Sequence, residues 1–554
     1  MLTSNGISTN FHSSGLRQKI DQLMDILWAG GVNNPMDSIE QLSYLIFLRL
    51  LSEKDDVLAA MDKKYKRIFS GAWARVAWGN FVTLTGDELF NTIRDAIEKL
   101  HELPGMSETG KLLFNRATLK VYDRPTLRAV IQSIHEMDLE AHEGAQADLK
   151  GDMYEYLLSK LSMSGTNGQF RTPRHIIGLI VALVNPQPGQ RMADPACGTA
   201  GFLIAAFNHI LDQNTKPGPR HYRGDKLTPA QWKFLEEQAF TGFDNDANMV
   251  KIAILNLYLH GLEKANIQFF NPLTTAWRAS TSSARQHPEP VEGAGGYPGQ
   301  QYQCILANPP FAGKIQSESI LADINLDTRN TELLFLKWFI DHLAPGGRAG
   351  VIVPNGVLFG STKAARKVRE LLLTECDLQA VVNLPSGVFK PYSGVGTAAL
   401  IFEKRSELIK RPEHPELVEG KKTKRPEPVE GRGLRQASTG SAQPAPQMQG
   451  AFVWFYDLTA DGFSLDDKRT PIDANDIPDV LAKHPERVEG PNSYRVPLVK
   501  IFESDDLSLA AGRYKPVTVQ AANHDKPQDI LAEVLTLEDE IAQRARALMG
   551  TIEK

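Results

Sequence analysis

A chain of 554 residues is too long for one hydrophobic core, so two to four folded units are expected. An apolar fraction of 42% is that of a globular protein, and a formal net charge of −5 with a pI near 6.3 excludes the global basic field that would hold nucleic acid unaided. Three well-separated cysteines, Cys197, Cys304 and Cys376, a polar start from Met1 to His12 and no apolar run of membrane-spanning length point to a cytoplasmic protein without structural zinc.

Residues 1–163 read as an all-helical N-terminal domain. Gly15 to Trp28 places Leu16, Ile20, Leu23, Ile26 and Leu27 at helical spacing, and Ile39 to Leu51 repeats the pattern behind Asp37-Ser38, a fitting N-cap. Further helices are expected over Asp87 to Leu100, Pro125 to Ile134 and Asp148 to Leu161. No strand-like alternation interrupts them and no catalytic group stands out, so this domain reads as a packing or partner-docking module. A Ser/Gly-rich linker, Ser162 to Gly168, ends it.

Strand–helix alternation then begins and fills residues 164–404, with a polar insertion at about 275–301. A helix over Ile176 to Val184 precedes a strand, Gln190 to Asp194, which ends in Pro195. The turn Ala196-Cys197-Gly198-Thr199-Ala200-Gly201 opens a helix over Phe202 to Leu211. Small residues there let backbone approach a ligand closely, and a helix N-terminus favours a carboxylate. The next strand, Ala239 to Phe243, ends in Asp244, a position suited to accepting from two ribose hydroxyls. A third strand is expected at Gln268 to Phe270 and a fourth at Gln303 to Ala307.

The fourth strand runs into Asn308-Pro309-Pro310-Phe311. Two prolines fix two φ angles and remove two backbone donors, so the turn is left with acceptors: the Asn308 side-chain carbonyl and the Pro309 main-chain carbonyl. Two acceptors holding both hydrogens of an exocyclic amine draw its lone pair out of the ring plane, and Phe311 offers a ring for stacking. Beyond it, Leu333 to Leu343 reads as a helix, Pro345-Gly346-Gly347 as a turn, Arg348 to Val353 as a strand, Thr362 to Leu373 as a helix, and Leu378 to Asn383 and Thr397 to Phe402 as closing strands. The result is an α/β, doubly wound sheet with its switch point where the first and fourth strands end, so the Gly-rich turn and the Asn308 turn share one crevice.

Gly168 to Pro173, Asp194 to Leu203 and Asn308 to Phe311, in that order, resemble the amino-methylating DNA methyltransferases, and more narrowly the modification subunits of type I restriction-modification systems. The helical start, with Leu27-Trp28-Ala29-Gly30-Gly31, is similar to that family's N-terminal domain. The resemblance implies a Rossmann-like fold, S-adenosylmethionine as cofactor and the exocyclic amine of adenine in double-stranded DNA as target. It implies cofactor contacts from Gly168, Gln169, Phe170, Arg171, Thr172, Pro173, Asp194, Gly198, Thr199, Ala200, Gly201 and Asp244, and a flipped base held by Asn308, Pro309, Pro310 and Phe311, with no metal. Arg171 stands where the family often has an aromatic or apolar residue, and Asn271 near where many members have an acid.

Residues 405–450 read as a low-complexity insertion, 451–525 as an extension of the catalytic region with strand-like segments at Ala451 to Asp457 and Tyr494 to Ile501, and 526–554 as a separate tail helix, on which Ile530, Val534, Leu537 and Ile541 begin an apolar stripe. Pro288 to Gly293, Pro415 to Gly420, Pro426 to Gly431 and Pro485 to Gly490 are near-identical PExVEG stretches, read as disordered loop insertions of a repeated element. Lys363, Arg366, Lys367 and Arg369 form a basic helix, whose bland reading is a solvated face. The resemblance implies a specificity subunit docked on the tail, two copies of this chain per complex and a restriction subunit as a further partner. Rival functions are a solitary amine methyltransferase acting on DNA, RNA or a protein glutamine, and a non-catalytic scaffold.

Overall fold

The computed structural model describes residues 14–104, 106, 108–137, 149–163, 172–218, 223–274, 301–409, 450–515, 531 and 534–544. It divides into a unit of residues 1–513 and a unit of residues 514–554.

Helices occupy the first part of the larger unit. Ser14–Ala29 buries Ile20, Leu23 and Leu27, the stripe expected from spacing. The 27-residue helix Pro35–Met61 starts earlier than expected. Asn34 caps it by accepting from the Met36 N–H at 2.9 Å, and Pro35 at the first helical position needs no donor. Asp37 and Ser38 lie inside that helix, where Asp37 pairs with Lys120 at 2.7 Å and Ser38 donates to the Val32 carbonyl at 3.0 Å. Gly86–Lys99, Arg124–His135 and Leu149–Met163 match the expected helices. Glu108–Phe114 and Pro229–Glu237 were not expected, although Thr228 and Gln231 form a capping box in front of the latter.

These helices share a core with the sheet. One apolar cluster runs continuously from Ile20 through Phe47, Leu203 and Ile401 to Val480. Phe47 meets Tyr258 with ring centroids 4.6 Å apart, and Glu40 accepts from Lys251 at 3.0 Å and Lys120 at 2.7 Å.

The sheet strands are β1 (Met192–Asp194), β2 (Phe240–Asp244), β3 (Asn266–Phe269), β4 (Tyr302–Ala307), β5 (Leu343–Pro354), β6 (Cys376–Leu384), β7 (Thr397–Lys404), β8 (Phe452–Asp457) and, after the separate two-stranded ribbon β9 (Asp461–Phe463) and β10 (Pro471–Asn475), β11 (Ser493–Pro497). Their order is β3-β2-β1-β4-β5-β7-β6-β8-β11. β1 pairs in parallel with β2 on one side and β4 on the other, with Ala193 opposite Thr241 and Ile305. That is the switch point inferred above. β7 runs antiparallel between β5 and β6, and β11 antiparallel to β8.

Three local expectations are corrected. Pro345-Gly346-Gly347 lies within β5 as a register shift, because Gly346 takes φ +74° and a Cβ on Gly347 would fall 2.9 Å from the Tyr302 carbonyl. The segment Tyr494 to Ile501 is strand only to Pro497, after which Leu498–Phe502 is helical. Arg369 is not part of a solvated basic face: it is fully buried, donating to the carbonyls of Val357 and Gly360 at 2.8 Å and Asp506 at 2.7 Å, while Lys363, Arg366 and Lys367 are exposed.

Among the PExVEG stretches, Pro485 to Gly490 is a folded turn, contrary to the disordered reading. Arg487 adopts φ +51°, and the carbonyls of Glu486, Arg487 and Val488 accept from Arg495 Nη2, Arg495 Nε and Trp454 Nε1 at 2.6, 2.6 and 3.1 Å. The other three copies lie outside the described residues. In the smaller unit, residues 534–544 are helical, with Val534, Leu537 and Ile541 exposed; Ile530 lies outside the described residues.

Candidate active site

β1 delivers Asp194 to the carboxyl end of the sheet, where the backbone turns sharply into the helix Gly201–Gln213. Gly198 takes φ +50° and Ala200, a residue with a Cβ, takes φ +63° as the cap. A non-glycine held there is a strained conformation fixed by its surroundings. Ala200 is buried, its N–H donating to the Cys197 carbonyl at 2.7 Å. The Gly198 N–H donates to Asp244 Oδ2 at 3.0 Å, and Asp244 Oδ1 accepts from the Asp246 N–H at 2.8 Å. Asp194 accepts from the Ala196 N–H at 3.1 Å and is 1% exposed. Burial pushes its carboxyl up to about 8, with the neighbouring Asp244 charge adding to the effect. Burial likewise raises Asp244.

β4 delivers Asn308 to the adjacent position. Its Nδ2 donates to Thr172 Oγ1 at 2.8 Å, and its Oδ1 is buried with no hydrogen-bond partner. Buried acceptors are rarely left so, and one held this way is poised for a donor from a ligand. Pro309 is buried and Pro310 exposed. The Phe311 ring is packed edge-on against Phe389, centroids 5.2 Å apart.

One cavity of about 2740 Å³ joins these parts. Thr172, Pro173, Asp194, Gly198, Thr199, Gly201, Asp244, Asn308, Pro309 and Pro310 line it. Ala200 and Phe311 are buried and do not line it, whereas Phe389, against which Phe311 packs, does. Gly168, Gln169, Phe170 and Arg171 lie outside the described residues. Asn271 also lines the cavity, its Oδ1 accepting from the Leu273 N–H at 3.0 Å. The small turn residues, the carboxylate of Asp244 and the apolar Phe270 fit a nucleoside cofactor. Among the described residues no His, Cys, Asp or Glu cluster suits a metal.

Several lining residues escape sequence reasoning. Glu155, from the helix Leu149–Met163, accepts from Arg174 Nε and Asn256 Nδ2, each at 3.2 Å, and the same Asn256 nitrogen donates to the Thr199 carbonyl at 2.8 Å. His175 Nε2, also in the lining, lies 2.9 Å from Asp461 Oδ2, which also accepts from Arg469. His175 stacks on Phe463 with centroids 4.6 Å apart.

The N-6 DNA methylase family matches residues 145–426, and the HsdM N-terminal domain matches residues 16–134. The chain belongs to the N-6 DNA methylase family. The EcoEI type I restriction enzyme methylase subunit of Escherichia coli is 30% identical over 401 residues, covering 70% of this chain and 74% of that one. The EcoKI methylase subunit of Escherichia coli K12 is 27% identical, covering 71% and 68%. A solved chain of a type I restriction-modification system, described for its complex assembly and conformational transition, superposes with a TM-score of 0.63 at 25% identity over 98% of each chain. The methyltransferase subunit from Streptococcus thermophilus shares the fold, with a TM-score of 0.59 at 17% identity over 90% and 98%. The expectation of a DNA-methylating enzyme related to type I modification subunits is borne out, and with it the fold class. No helix among the described residues of this methylase is long and apolar enough to cross a membrane.

Proposed function

We propose that this N-6 DNA methylase transfers a methyl group from S-adenosylmethionine to the exocyclic amine of adenine in double-stranded DNA, as the modification subunit of a type I complex. The observation that carries the reading is the buried, unpartnered Oδ1 of Asn308 in the same cavity as the Gly-rich turn and Asp244. When bound, S-adenosylmethionine supplies a methyl on a sulfonium. Gly168 to Pro173, Asp194, Gly198 to Gly201 and Asp244 hold the cofactor, Asp244 accepting from ribose hydroxyls. The paired amine lies inside the duplex, so the base is extruded into the cavity. Asn308 Oδ1 and the Pro309 carbonyl accept its two N–H groups, align the lone pair and stabilise the positive charge growing on nitrogen. No strong general base is required, because the proton becomes acidic only after transfer. Phe311 and Phe389 provide the aromatic wall.

Sequence specificity comes from a separate subunit. The net charge of −5 supports this, as do the exposed Val534, Leu537 and Ile541 of the tail helix, a stripe suited to pairing with a partner's helices. Two copies of this chain and a restriction subunit complete the assembly, in the cytoplasm, where Cys197, Cys304 and Cys376 stay as thiols. The test is methyl transfer from labelled S-adenosylmethionine to unmethylated genomic DNA, with and without the specificity subunit. Label on adenine only with both subunits is expected. Label from the chain alone would make it a solitary methyltransferase, and no label in either case would overturn the reading.

A further inference from the structure

An asparagine amide is nearly symmetric in shape and opposite in hydrogen bonding at its two ends. The end that faces the cavity therefore decides whether position 308 attracts or repels the N–H of an incoming amine. Asn308 and Thr172 both line the cavity. The Asn308 Nδ2 donates to Thr172 Oγ1 at 2.8 Å, and its Oδ1 is buried without a partner. Thr172 is 136 residues from Asn308 in sequence and 7% exposed.

Thr172 is itself held in place. The Pro173 carbonyl accepts from the N–H groups of Ile176 and Ile177, each at 3.0 Å, starting the helix Arg174–Val184. At the second helical position His175 is tied to the fully buried Asp461 at 2.9 Å. An oxygen fixed by an anchored helix start thus meets the amide nitrogen of a residue fixed by a strand end.

We propose that Thr172 is a positioning residue for transfer: its hydroxyl oxygen holds the Asn308 amide with Oδ1 toward the target amine. The inference rests on the methyltransferase reading and moves the Thr172 side chain from the cofactor to Asn308. Without a hydroxyl at 172 the amide loses this bond in either orientation, so Oδ1 is no longer held and the nitrogen can take its place toward the amine. That orientation sets donor against donor when the amine arrives.

The test uses the full chain with its specificity subunit and compares wild type with Thr172→Val and Thr172→Ser. Three quantities are measured: kcat and KM on unmethylated DNA, and the calorimetric Kd for S-adenosylmethionine, which also reports folding. Val is expected to lower kcat about tenfold or more, with the cofactor Kd within about twofold of wild type. Ser, which keeps the acceptor, restores kcat to within about threefold. Thr172→Ala carries the same expectation should the Val variant misfold. An unchanged kcat in Val, or a weakened cofactor Kd with kcat intact at saturation, overturns the inference while the methyltransferase reading stands. No transfer by wild type overturns both.

Discussion

Replacing Asp461 by Asn removes a charge from the lining of the cavity without changing its shape. The Asp461 side chain is 0% exposed and accepts from His175 at 2.9 Å and from Arg469, whose side chains are 12% and 13% exposed. His175 stacks on Phe463, and the Arg469 guanidinium lies 5.6 Å from the same ring. These contacts clasp the β9–β10 ribbon to the start of the helix Arg174–Val184. Breaking a buried ion pair by removing one partner costs about 3–5 kcal/mol. Asn keeps one acceptor oxygen, so the low end applies, about 3 kcal/mol, or roughly a hundredfold in the ratio of clasped to open ribbon. The loss is local, so the assay is amide hydrogen exchange across residues 461–475, with a urea midpoint alongside. Burial alone would raise the Asp461 carboxyl, but hydrogen bonds from His175 and Arg469 outweigh it and hold the group below its usual value. A depressed carboxyl contributes stability above its unfolded pKa, near 3.9, and loses it as pH falls through the lower folded value. Wild-type ribbon protection is therefore expected to hold at neutral pH and fade below about pH 4, a step absent from Asp461→Asn. Equal exchange rates in the two proteins at neutral pH would refute the clasp.

Asn308→Ala deletes the acceptor proposed to take the target amine. The expectation is a fall of about a hundredfold to a thousandfold in kcat with the cofactor Kd unchanged, read by transfer kinetics and calorimetry; normal turnover would sink the mechanism. Arg369→Met orphans the carbonyls of Val357, Gly360 and Asp506 and should destabilise by about 3 kcal/mol or more, seen as a lower urea midpoint. An unmoved midpoint would mean that water takes over those carbonyls at no cost. Asp194, raised to about 8 mainly by burial, is favoured in its neutral form by the folded state. Its contribution is full below about pH 4 and is lost as pH rises toward about 8, so Asp194→Asn is expected to flatten the decline of melting temperature over that range. A wild-type melting temperature that rises over the same range would contradict the assignment.

The strand–helix alternation was legible where a sheet strand is short, apolar and closed by a marked residue, as with Asp194 at the end of β1 and Asn308 after β4. The acceptors proposed at the Asn308 turn were legible in two prolines that remove backbone donors there. Other features depend on contacts far apart in sequence. Glu155 sits on an apolar helix face with nothing to mark it until Asn256 and Arg174 arrive beside it. Asp461 and His175 are 286 residues apart. Charge spacing made Arg369 look like its exposed neighbours, because a helical wheel does not reveal which face a later segment covers. Apolar spacing points to Asp37-Ser38 as the cap, but Pro35 directly after Asn34 is the stronger helix-start signal.

The turn Pro485 to Gly490 bears on how freely its letters could change. It lends the sheet three consecutive carbonyls, which accept from Arg495 and Trp454, together with the Glu489 carboxylate, which accepts from the Arg495 N–H at 3.1 Å. A peptide of similar length that closes the same bend offers the same carbonyls. The fold asks that stretch for a path more than for a vocabulary.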